Sequence, residues 1–230
     1  MIKYITDSVQ NLQEEHKKYS LYDIPVHLIN SFTNKIDLNS VIAHVEQIVP
    51  RHLLHNIDVV YIAYIKAFEK EGRTFNAMYK DNAIYISPEQ DNEEDLLDDV
   101  VHEIAHSFEK EYYNVIYEDG DLEREFLGKR NTLHYLVDKP TLNKLYYNST
   151  EYNAKFDNHM YNDIGYDRLR IIASGLFYSP YAITSLREYW GNGFENYLLG
   201  DRERLKDLSP VLCSKIESII NPQGKNINEY

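Results

Sequence analysis

The segment His102-Glu103-Ile104-Ala105-His106 sets two imidazoles at positions i and i+4, with a carboxylate directly after the first. On a helix, i and i+4 are neighbours on one face, so both rings can bind a single tetrahedral metal ion. Glu103 points toward the same cleft without being a ligand. It can take a proton from a metal-activated water and deliver it to a leaving amine. The pattern predicts zinc-dependent hydrolysis of a peptide bond, with His102 and His106 as ligands and Glu103 as general base.

Two histidines and a water leave one tetrahedral position for another protein ligand. Two turns beyond His106 stands Asn114 and not a third histidine. A later segment, Tyr181-Ala182-Ile183-Thr184-Ser185-Leu186-Arg187-Glu188, offers a carboxylate instead. Ser179-Pro180 reads as the start of a helix running to about Leu199, whose core stripe is Ile183, Leu186, Trp190, Phe194 and Tyr197. Tyr181 and Glu188 then lie about two turns apart on one face, away from that stripe. From there a carboxylate and a phenol could both reach a metal. Glu195 falls on the same face as a rival ligand. Tyr178 is a rival hydrogen-bond donor, and Asn192 could hydrogen-bond a ligand from behind. His52 and His55 form a second His pair, better read as a surface helix end.

The elements that must hold these residues are partly legible. Residues 38–49 carry apolar side chains at helical spacing, with Asp37 or Asn39 as cap and Pro50 beyond the end. Residues 58–65 read as a central strand. Residues 75–79 and 83–87 read as two strands around Lys80-Asp81-Asn82. The motif helix starts at Ser87-Pro88-Glu89-Gln90, or at a second start over Asp91-Asn92-Glu93-Glu94, and runs to about Glu111. Further helices are read over 122–137, 166–176 and from Ser209-Pro210 to about Ile220.

At this point the chain resembles the anthrax lethal factor-type metallopeptidases, which include the secreted Pro-Pro endopeptidases. The resemblance rests on His102–His106, on Tyr181, and on Glu188-Tyr189-Trp190-Gly191-Asn192-Gly193-Phe194; it covers residues 38–111 and 178–199. It implies zinc bound by His102, His106 and Glu188, Glu103 as base, and Tyr181 as donor to the oxyanion. It also implies an α+β, zincin-like fold: a helix, a small mixed sheet, the active-site helix and a mostly helical C-terminal part. Ala83–Ser87, directly before the motif helix, is then the edge strand that would pair with an extended substrate. One departure stands out. The stretch from His106 to Glu188 is about twice the family's usual length, so residues 112–177 read as an insertion in a single domain: a lid, a specificity element or a partner-docking surface.

Composition sets the remaining bounds. A length of 230 residues and 43% hydrophobic content suit one packed domain. A net charge of −13 disfavours nucleic acid, which needs clustered Lys and Arg. Cys213 is the single cysteine and reads as a buried, inert thiol, so no intrachain disulfide is expected. Residues 1–8 lack the apolar core of a signal peptide, and the longest apolar run, residues 59–65, is too short to span a bilayer. These features predict a protein kept in the cytoplasm, or secreted or virion-associated if it leaves by a route without a cleavable signal or if a signal has been removed; the motif predicts a protein or peptide substrate. The rival expectation is a non-catalytic binding or structural protein, such as a phage or mobile-element component, on the same fold. A structural zinc protein is a third, disfavoured by the open ligand set.

Overall fold

The computed structural model describes residues 19–65, 69–70, 73–74, 76–137 and 142–222. The N-terminal stretch read for a leader, and Phe75 of the expected strand, lie outside them. The fold is mixed α+β. Its residues form two compact units, 1–100 and 101–230, and the boundary falls within the helix that carries the His pair.

The first unit holds a five-stranded mixed sheet in the order β1-β2-β3-β7-β6. β1 (Tyr19–Leu21) and β2 (Ile24–Leu28) are antiparallel. β3 (Val59–Ile62) runs parallel to β2 and to β7 (Ala83–Ile86), and β6 (Ala77–Lys80) is antiparallel to β7. A separate two-stranded ribbon joins β4 (Glu69–Lys70) to β5 (Arg73–Thr74). β3 is central, as its apolar sequence predicts. β6 and β7 close on Asp81 (φ 51°) and Asn82 (φ 59°), the left-handed pair of a two-residue hairpin. Helix α1 (Leu38–Ile48) begins at Asp37, whose carboxylate accepts from the Asn39 and Ser40 amides. Its Leu38, Val41 and Val45 are buried, as are Val26, Val60, Ile62, Ile84, Ile86 and Leu96 of the same unit.

The expectation of a free edge at residues 83–87 is overturned. β7 is hydrogen-bonded to β3 on one side and to β6 on the other, so its backbone has no side left for a substrate strand. The hairpin that folds β6 back onto it is the physical cause.

Helix α2 (Glu93–Phe108) carries the motif. Of its two predicted starts, the second is used: Asn92 Oδ1 accepts from the Asp95 amide at 3.0 Å. Ser87 instead closes a tight turn, its hydroxyl accepting from the Glu89 amide at 3.1 Å, and the helix ends at Phe108, short of Glu111.

Among the described residues the second unit is helical. After α2 come α3 (Tyr113–Ile116), α4 (Asp121–Leu136), α5 (Lys144–Tyr147), α6 (Ala154–Asn158), a π-helical turn (His159–Ile164), α7 (Tyr166–Ile172), a 3₁₀ turn (Tyr181–Ile183), α8 (Leu186–Leu199), α9 (Arg202–Leu208) and α10 (Pro210–Ile220). Residues 112–177 are part of this packing: Leu122, Phe126, Leu133, Tyr147, Phe156, Met160 and Leu169 are fully buried. Phe126 packs against Tyr189 of α8 at 5.4 Å between ring centroids. No helix among the described residues is long and apolar enough to cross a membrane.

Candidate metal centre

The last two turns of α2 meet α8 through aromatic packing. Phe108 contacts Trp190 and Phe194 edge-on, at 6.2 and 5.2 Å between centroids, and Trp190 Nε1 donates to the Ala105 carbonyl at 3.3 Å. Gly191 allows the close approach. A Cβ there would stand 2.8 Å from His102 Nε2 and 3.0 Å from His106 Cε1. Any side chain would therefore collide with both imidazoles.

This packing brings His102, His106 and Glu188 together. His102 Nε2 lies 3.2 Å from His106 Nε2 and 3.0 Å from Glu188 Oε2, and His106 Nε2 lies 3.7 Å from that same oxygen. The three donors could hold a metal ion. Tetrahedral zinc with bonds of about 2.0–2.2 Å spaces its ligand atoms about 3.3–3.6 Å apart, so donor types and spacing both fit. Both histidines are buried, at 8% and 6% exposure, and two buried ring nitrogens facing one carboxylate oxygen need a cation or proton among them. Protons can serve: burial opposes charging His102, but Glu188 and Glu195 outweigh it and raise its pKa well above the ordinary value. His106 is raised likewise, by Glu109 and Glu188 against burial. Burial would raise the Glu188 pKa, yet the two imidazoles hold it well below the usual carboxylate range.

The opposite ring nitrogens are also engaged. His102 Nδ1 lies 3.2 Å from Glu195 Oε2, and His106 Nδ1 lies 3.1 Å from Glu109 Oε2. Glu195 in turn accepts from the side-chain amides of Asn192 (3.4 Å) and Asn196 (3.2 Å), and Asn192 Oδ1 accepts from the Ser179 hydroxyl at 3.0 Å. Asn192 thus does not bond a ligand directly: its side-chain amide meets Glu195, which in turn faces Nδ1 of His102. Glu195 is corrected: it sits at Nδ1 of His102, outside the cluster of ligand atoms.

No family model, curated protein or solved structure matches this chain.

Glu103 is buried at 8% exposure, and its carboxylate is near enough to act on His102, Tyr181 and Arg187. Tyr181 has its ring 5.9 Å from the His102 imidazole. It arrives there by a different route from the one expected. Tyr181 and Glu188 do not share a helix: a 3₁₀ turn ends at Ile183, Ser185 is extended, and its hydroxyl accepts from the Glu188 amide at 3.1 Å to start α8 afresh. Ser at that position caps a helix better than it continues one. Burial, then Glu188 and Glu103, push the Tyr181 phenol well above its ordinary pKa, so it remains a donor.

Tyr178 is excluded as the alternative donor. Its hydroxyl accepts from the Asp201 amide at 2.9 Å, at the far end of α8. His52 and His55 are exposed at the end of a 3₁₀ turn (Arg51–Leu53), and His55 Nδ1 bonds the His52 carbonyl at 2.7 Å. Sequence reasoning missed Glu109, Arg187 and Tyr117. The available signal was Glu109 one turn after His106, where it can reach that ring.

Proposed function

We propose that this chain is a zinc-dependent metalloendopeptidase of the lethal factor type, with a zincin-like fold. One observation carries the reading: three donors of the right kinds converge at 3.0–3.7 Å from two helices, with Glu103 and Tyr181 beside them. A bound zinc ion supplies Lewis-acid polarisation of the scissile carbonyl and makes water a nucleophile near neutral pH.

His102, His106 and Glu188 would hold the ion. Glu103 takes one proton at its carboxylate from the water that adds to the carbonyl carbon. It returns that proton to the amide nitrogen as the C–N bond breaks, so the carboxylate ends unchanged. Tyr181 donates a hydrogen bond from its hydroxyl to the carbonyl oxygen as negative charge grows there. The mostly buried setting limits competing solvent and strengthens each of these contacts.

The test is to incubate zinc-loaded protein with a proteome-derived peptide library and read the new N-termini. Wild type is expected to cut. Glu103→Gln, which keeps the side chain's size, is expected to lose about 10²- to 10⁴-fold in rate with its zinc retained. Equal cleavage by both proteins would discard the mechanism. Zinc binding without turnover would favour the rival non-catalytic binding protein.

A further inference from the structure

The two ligand imidazoles are supported differently, and the support of His106 extends well beyond the metal cluster. Glu109, which meets His106 Nδ1, has both carboxylate oxygens engaged. Oε2 accepts from Arg187 Nε at 2.8 Å as well as facing the histidine, and Oε1 accepts from the Tyr117 hydroxyl at 2.5 Å. The Glu109 side chain is only 13% exposed.

A carboxylate held by three donors from three segments has little rotational freedom. With Nδ1–H donating to that carboxylate, His106 is held in the tautomer whose Nε2 lone pair faces His102 and Glu188. Arg187 and Glu188 are consecutive residues in the first turn of α8. One turn of one helix thus addresses both nitrogens of the same ring: Glu188 on the Nε2 side, Arg187 through Glu109 on the Nδ1 side. Tyr117, just past α3, brings the stretch after α2 into the same relay.

We propose that Glu109, fixed by Arg187 and Tyr117, is a positioning residue that aims His106 at the metal. The guanidinium side chain is 54% exposed, so its contribution is geometric more than electrostatic. This inference rests on the zinc reading above and concerns how the ion is held, not whether peptides are cut.

The experiment titrates zinc-free wild type, Glu109→Ala, Arg187→Gln and the double variant with zinc against a chromophoric chelator. Cobalt spectra are recorded on the same proteins. Glu109→Ala is expected to bind zinc about 10- to 100-fold more weakly, and its cobalt d–d bands to shift because the ring has moved. Arg187→Gln should lose less, and nothing further in the Glu109→Ala background, because it acts through that residue. Wild-type affinity in Glu109→Ala, or additive losses in the double variant, would overturn the relay and leave the zinc reading standing. A wild type that binds no zinc would overturn both. Should Glu109→Ala fail to fold, Tyr117→Phe keeps the ring and removes only the donor; unchanged zinc affinity there would likewise overturn the relay.

Discussion

At the proposed zinc centre, two single atoms are open to direct test. The Tyr181 ring packs beside His102, whereas the Tyr178 hydroxyl is engaged with Asp201. Tyr181→Phe keeps the ring and removes the donor. It is expected to lower kcat by roughly 10- to 1000-fold while leaving zinc content and KM nearly unchanged, because the bond forms mainly in the transition state. Steady-state kinetics with one identified peptide decide it, and an unchanged kcat removes Tyr181 from the mechanism. The second atom is the Cβ that Gly191 lacks. Gly191→Ala would drive a methyl to within 3.0 Å of both imidazoles. Overpacking of this kind costs about 1–3 kcal/mol, which corresponds to roughly a ten- to hundredfold loss in zinc affinity if the rings move aside. Chelator competition measures it, and wild-type affinity would show that α8 can shift away instead.

At the scale of elements, α8 is held by a buried polar network as well as by its aromatic face. Lys129 of α4 donates to the Tyr189 and Ser209 hydroxyls. Tyr189 donates to Glu125 at 2.8 Å, and Glu125 accepts from the Val211 and Leu212 amides at 2.9 and 3.2 Å, capping α10 from a neighbouring helix. Burial pulls the Lys129 pKa down to about 8, against Glu125, which raises it. Between about pH 8 and 10 the unfolded chain keeps the lysine proton that the folded chain has released, so stability rises with pH there. Urea unfolding should show a slope of up to about 1.4 kcal/mol per pH unit in that window. Lys129→Met should abolish the rise, and a flat wild-type profile would contradict it.

For the molecule as a whole, all proposed ligands lie within residues 101–230, so zinc is expected to stabilise that unit. At a free zinc concentration 100 times Kd the gain is about 2.7 kcal/mol. Thermal unfolding of wild type should therefore move to lower temperature when a chelator is added, whereas His102→Ala/His106→Ala should unfold at one temperature with or without it. A chelator effect that survives in the double variant would place the metal elsewhere.

Periodicity and local chemistry were enough to find α1, β3, the β6–β7 hairpin, α4 and α10, because each carries its signal within a few adjacent residues. They were also enough to single out His102, Glu103 and His106, since one helical turn sets their geometry. Other features depended on partners distant in sequence. The β1–β2 hairpin went unread: it turns at Tyr22, whose φ of 51° suits glycine, and Tyr22 is held there by its hydroxyl donating to the Glu46 carbonyl at 2.7 Å. The pairing of β7 on both sides depends on β3 and β6 at once. The fresh start of α8 at Ser185 separates two residues that helical periodicity had joined, and packing brought them back together by another path. The contact of Glu195 with His102, and of Arg187 with Glu109, exist only because α2 and α8 approach closely at Gly191. The sequence by itself determined which residues could bind a metal; the tertiary packing decided that Glu188 meets the His pair and that Glu195 faces His102, because those contacts span chain separations that no local pattern encodes.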